Sequence, residues 1–157
     1  MRSDPKPIGP LPRDEVERLL DLDVPAHLGT IDPSGHPRIT PIWFIWLEGA
    51  FYMTSFADKP HVRNLRLNPK ASLCIDTEQV LDDGTRPNQQ VKGAGQAELF
   101  PDDGGNITRE ITRKYVRGPI AAAELERRGK MIRTVIRLRP RRLVGLRGGP
   151  PPKKGAV

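Results

Sequence analysis

The run RITPIWFIWLEGAFYMTS, residues 38–55, constrains this chain more than any other stretch. "RITPIWFIWL" is the longest strand candidate, and "EGA" is a tight reversal into a second apolar run, "FYMTS". Two such runs on either side of a short turn read as a hairpin, so they lie antiparallel. Further strand candidates are "AHLGTID", "ASLCID", "QQVKGAGQAELF" and the alternating "MIRTVIRLRP", which "RRLVGLRG" extends. "DPSGHP" supplies the residues of a turn, and Gly93 and Gly95 mark a bulge or a close backbone approach. Helical spacing appears in "DEVERLLDL", with Val16, Leu19 and Leu20 on one face, and in "NITREITRKYV" and "AAAELERRGK", separated by Gly118-Pro119. Residues 77–88 form a polar loop long enough to suggest a function. The expectation is a mainly β domain, a barrel or curled sheet of six or so antiparallel strands with peripheral helices. At 157 residues the chain makes one domain, placed at 13–147. The Pro/Gly/charge mixtures at 1–12 and 148–157 are expected to be a flexible leader and a disordered basic tail.

After "FYMTS" comes "FADKPHVRNLRLNP", residues 56–69. Pro60 suits a first helical position, because its missing N–H has no intrahelical role there. Val62 and Leu65 share one face, and Asn68-Pro69 ends the helix. Lys59 and His61 therefore stand at the start of a short helix over 60–67, a place where backbone N–H groups and cationic side chains suit a phosphate. A solvated basic helix start explains the same residues.

Charge is divided unevenly. Residues 1–108 hold 11 Lys/Arg against 16 Asp/Glu, and residues 109–157 hold 15 against 3. A basic final third attracts anions, but it contains one aromatic, Tyr115, which leaves little for base stacking. No nucleic-acid-binding pattern or glycine-rich phosphate loop is present, so nucleic acid is not an expected partner. His27, His36 and His61 have no neighbours at metal-ligand spacing, so no metal is expected. The single cysteine, Cys74, lies in an apolar run and reads as a small buried hydrophobe. No run approaches the ~18 apolar residues of a membrane span, and the start lacks the apolar core of a secretory signal. The expectation is a cytoplasmic protein with no membrane partner. Conventional nucleophile motifs are missing as well, so an enzyme built on this chain would draw its reactivity from a bound cofactor.

The segment 26–100 resembles the pyridoxamine 5′-phosphate oxidase-like proteins, the FMN-binding split-barrel family, and residues 131–146 resemble it loosely. The resemblance rests on "TS" at 54–55 followed by "KPHVRNLRLNP" and a strand, and on Gln90, Val91, Gly95, Ala97 and Glu98 in "QQVKGAGQAELF". It implies a six-stranded antiparallel split β-barrel that forms a homodimer with cofactor sites at the subunit interface. By position, Arg38, Ile39, Thr40, Pro41 and Ile42 would line a flavin or deazaflavin ring. Met53, Thr54 and Ser55 would run beside the ribityl chain and phosphate. Lys59, Pro60 and His61 would hold the phosphate, with Asn64 one turn on and Gln90 reaching the ring from the other subunit. The family often has Lys or Arg where His61 stands. Beside a phosphate, His61 would have its pKa raised, and affinity would strengthen as pH falls from about 8 to 6. Trp43 replaces the substrate-binding Lys of the true pyridoxamine phosphate oxidases, and their C-terminal Trp/Arg motif is missing after residue 140. Trp43 is thus expected to face a small-molecule substrate other than a vitamin B6 phosphate. The layout "RNLR-x-NP" with "RKYVRG" resembles an actinobacterial branch using coenzyme F420 in place of FMN. Hydride transfer between F420 and an organic substrate is the implied activity. FMN-dependent oxidoreductase activity and non-catalytic cofactor binding are the alternatives.

Overall fold

The computed structural model describes residues 10–148. Most of the segments 1–12 and 148–157, expected to be loose ends, lie outside the described residues. Residues 10–12 belong to the fold: Leu11 is buried, its N–H donates to Gly145 O at 2.9 Å, and Pro10 bridges Leu146.

Helix α1 (Arg13–Asp21) leads into strands β1 (Ala26–Ile31), β2 (Pro37–Ile42), β3 (Phe44–Leu47) and β4 (Ala50–Ser55). Helix α2 (Pro60–Leu67) follows, then β5 (Lys70–Glu78) and the long β6 (Asn88–Pro101). A 3₁₀ turn at Asp103–Gly105 precedes α3 (Asn106–Tyr115) and α4 (Ala121–Gly129), and β7 (Thr134–Leu138) and β8 (Arg142–Gly148) finish the fold. Every pairing is antiparallel, in the order β2-β1-β5-β6-β7-β4-β3, with β8 on β6. β6 is shared: residues 88–96 pair with β5, and residues 97–101 with β7.

This order explains the barrel. β2 and β3 lie at opposite ends of the path, yet Trp43 alone separates them in the chain. One intervening residue spans only ~7 Å, so the sheet must curl until its two ends meet. The fold is the expected mainly β, curled antiparallel barrel with peripheral helices. It has eight strands rather than six, because two expected strands are each broken. "RITPIWFIWL" divides at Trp43, where the chain leaves one half of the sheet for the other. "MIRTVIRLRPRRLVGLRG" divides at Pro140, which has no N–H to give to a ladder.

Gly95 is the close approach read from the sequence: a Cβ there would stand 2.7 Å from Arg139 O. The β3–β4 turn places Glu48 and Gly49 at φ 50° and 75°, the conformation of a tight hairpin turn. The polar loop 77–88 extends the β5–β6 hairpin and bonds to itself, through Gln79 N–H to Pro87 O and Leu81 N–H to Thr85 O. Phe44, Phe51, Met53, Leu28, Ile75, Val91 and Leu138 fill the barrel, and Leu19, Leu20, Val62 and Leu65 seal it from α1 and α2. Among the described residues no helix is long and apolar enough to cross a membrane.

Candidate functional site

Where the sheet's ends meet, a cleft of about 480 Å³ opens. Pro41, Ile42 and Trp43 form one wall at the β2–β3 crossover, and Thr54 and Ser55 at the end of β4 form the floor. His61 enters from the first turn of α2, Arg128 from the end of α4, and Arg133 from just before β7. Six residues expected at the site, Pro41, Ile42, Trp43, Thr54, Ser55 and His61, thus share one cavity.

Ser55 Oγ and His61 Nε2 are 2.8 Å apart, and both side chains are buried. Burial, then Lys59 and Arg133, depress the His61 pKa, so the ring is neutral at pH 7 in this state. The expected rise belongs to the phosphate-bound state, and the depression is that of the protein alone. Lys59 is the N-cap of α2, with Pro60 at its first position. No side chain caps the helix; Lys59 N–H and Arg63 N–H are bonded to Phe56 O and Lys59 O, which leaves the N–H groups of His61 and Val62 for a ligand.

Arg133 joins the site without any local motif to announce it. Its Nη2 donates to Thr54 O at 2.8 Å and its Nε to Thr54 Oγ1 at 3.1 Å, with the guanidinium 4.8 Å from the Phe56 ring. Burial, then Arg128, lower its pKa against the opposing charge of Asp102. Among the described residues none of Lys59, Arg128 and Arg133 has a carboxylate oxygen within 4.0 Å. Arg128 and Arg133 are half-buried, and cations so placed without counterions are costly; an anionic ligand relieves that cost. Together with the Ser55 hydroxyl and the start of α2, Lys59 and Arg133 fit a phosphate monoester, while Arg128 stands at the Trp43 end.

The opposite end of the cleft is aromatic. Trp43 stacks on Tyr115 at 4.7 Å between ring centroids and 1° between planes. Tyr115 is fixed at both sides: its O–H donates to Val24 O at 2.8 Å and accepts from Phe44 N–H at 3.3 Å. Burial pushes its pKa up to about 12, so it remains a donor at every ordinary pH. The position of Tyr115 rests on α3. Asp102 holds the start of that helix, its carboxylate accepting from Ile107 N–H and Thr108 N–H at 3.0 and 2.9 Å.

The remaining expected residues lie elsewhere in the protomer. Met53 is fully buried in the core. Buried Asn64 donates to Thr30 Oγ1 at 3.1 Å, which ties α2 to β1 and gives the side chain a structural role. Arg38 Nε donates to Asp32 Oδ2 at 2.8 Å on an exposed turn, away from the cleft lining. Thr40, half-buried, faces Leu28 across the β1–β2 ladder. Ile39 is 67% exposed and lines a separate groove with His27, Cys74 and Val144. Gln90 stands opposite Asp76 on the same outward side of the sheet as Cys74 and Lys92.

A family model described as pyridoxamine 5′-phosphate oxidase matches residues 12–146. The chain belongs to this family. The pyridoxamine 5′-phosphate oxidase family binds flavins, and the match spans both the crossover at Trp43 and the late arginines. No curated protein matches the sequence significantly. Among solved structures, a conserved hypothetical protein of Mycobacterium tuberculosis has a TM-score of 0.69 at 20% identity, over 93% of this chain and 88% of that one. A putative 5-nitroimidazole antibiotic resistance protein of Bacteroides thetaiotaomicron has a TM-score of 0.70 at 13% identity, over 92% and 90%. An F420 reductase has a TM-score of 0.56 at 22% identity, over 81% and 94%. At such identities the likeness is one of fold.

Proposed function

We propose that the cleft binds a phosphate-bearing flavin or deazaflavin, and that the protein is an oxidoreductase moving hydride between coenzyme F420 and an organic substrate. One observation carries this reading: the cations at one end of the cleft have no carboxylate partner there. Lys59, Arg133, Ser55 and the first turn of α2 hold the phosphate. Pro41 and Ile42 give the ring an apolar wall, and Trp43 beside them faces the substrate. When bound, the cofactor supplies the hydride chemistry, while the protein fixes its orientation and shields it from water. Burial makes the phosphate contacts stronger than they would be in open solvent.

F420 is preferred to FMN because its acidic oligoglutamate tail suits the basic final third of the chain, and because an F420 reductase shares the fold. A homodimer completes the site in this reading. Ile39 and Gln90 lie on the outward face of the sheet, where each would serve the partner's cleft. The test is a parallel titration of cofactor-free protein with FMN and with F420. Saturable, tighter binding of F420 supports the reading. Tighter FMN binding leaves the phosphate site and replaces the coenzyme. Absence of binding to both removes the reading.

A further inference from the structure

We infer that Arg128 is an anion subsite at the Trp43 end of the cleft, and that the substrate is a flat compound carrying a carboxylate or similar anion. The inference rests on the cofactor reading in one respect: that the cofactor's own phosphate occupies the other end.

Four observations place the subsite. Arg128 and Trp43 line the same cavity, with the guanidinium 5.0 Å from the Trp43 ring centre. The guanidinium is held in position, because its Nε donates to Thr112 Oγ1 at 3.1 Å and Thr112 Oγ1 is itself bonded to Thr108 O. Its two terminal nitrogens meet no acceptor among the described residues, and no carboxylate is within 4.0 Å. Those nitrogens are the pair that grips a carboxylate in bidentate fashion.

The cations are divided between the two ends of the cleft. Arg133 is tied to Thr54 at the end of β4, next to Ser55 and His61, whereas Arg128 is tied to Thr112 on α3 with its guanidinium at the Trp43 ring. A single phosphate at Arg133 and the start of α2 leaves Arg128 without an anion. Trp43, 36% exposed, is held rigid by Tyr115 stacked on it and lies under the Arg128 guanidinium. A planar anion satisfies both at once: its carboxylate meets the terminal nitrogens of Arg128, and its ring packs against the exposed part of the indole.

The probe is benzoate, with benzamide as its neutral counterpart, titrated into the full chain with and without bound cofactor. Tryptophan fluorescence and calorimetry read the binding. Benzoate is expected to bind at least tenfold more tightly than benzamide. Arg128→Gln should weaken benzoate about tenfold and remove the preference, while Arg128→Lys keeps part of it. Cofactor affinity should stay within about twofold in Arg128→Gln, and Arg133→Gln should weaken the cofactor instead. If neither FMN nor F420 binds while benzoate retains its Arg128 dependence, the cofactor reading fails and the subsite stands. The subsite is overturned if the parent does not bind benzoate, if benzamide binds equally well, or if Arg128→Gln leaves benzoate affinity unchanged. Release of the cofactor by Arg128→Gln would also overturn it, since Arg128 would then belong to the phosphate end.

Discussion

Arg133 and His61 show how burial sets the chemistry of single residues in the cleft. Arg133 spends two of its five N–H groups on Thr54 and one on Met131 Sδ at 3.8 Å, while its guanidinium lines the cavity. Arg133→Gln should weaken binding of the phosphate-bearing cofactor by about 1.5–3 kcal/mol, the range for a hydrogen bond to a charged group. Lys59→Ala should weaken it less, because Lys59 is exposed. Cofactor titration of both variants checks the order. His61 behaves in two opposite ways. In the free protein its pKa lies below the ordinary 6.5, so between the two values the unfolded chain binds more protons. Stability is therefore full above about pH 6.5 and is lost as pH falls through the folded pKa. Melting of the parent at pH 8 and pH 5.5 should show a larger acid loss than melting of His61→Gln. With a phosphate dianion bound, the preference reverses, and affinity should rise from pH 8 to 6 in the parent but not in His61→Gln. Equal pH profiles for both proteins would contradict the placement of His61 in the site.

At the scale of elements, short-range chemistry was legible and long-range placement was not. Helix α2 runs over Pro60–Leu67 as its proline, spacing and Asn68-Pro69 stop indicate. The β3–β4 hairpin follows from the tight turn at Glu48-Gly49. The position-by-position resemblance names both Ser55 and His61, which the structure places 2.8 Å apart, yet it does not tell side chains that face the cleft from those that face the core, as Met53 and Asn64 do. Arg133, Arg128 and Tyr115 carry no local signal of their role, because the site partners of Arg133 and Tyr115 lie 71 to 91 positions away. The only sequence trace of the two arginines is the surplus of that residue after position 108. The break at Trp43 is hidden because apolar residues continue without pause on both sides of it. Asp102 shows how an element outside the cavity controls it. By capping α3 it fixes the helix that carries Tyr115 and so the plane of Trp43. Asp102→Ala should cost about 1–2 kcal/mol in urea unfolding, as for loss of a helix cap. It should also broaden the near-ultraviolet circular dichroism of the Trp43–Tyr115 stack. A stability equal to the parent's would mean that the two N–H groups find water instead.

At the scale of the whole molecule, the curled sheet has two faces with different duties. Its inner end closes at Trp43 and makes the cleft, while its outer face exposes Ile39 over an apolar groove. In the proposed dimer this face is covered, so Ile39→Asp should shift the protein toward monomer by light scattering and weaken cofactor binding together with dimerisation. A monomeric parent that binds cofactor tightly would remove the dimer. The central claim is that unpaired cations in the cleft hold the phosphate of a flavin or deazaflavin. Its most direct test is calorimetric titration of F420 and FMN into the parent and into Arg133→Gln under one set of conditions. Saturable binding by the parent, with F420 the tighter, and at least a tenfold loss in Arg133→Gln is the expected result. No binding to the parent, or affinities that Arg133→Gln leaves unchanged, would contradict it.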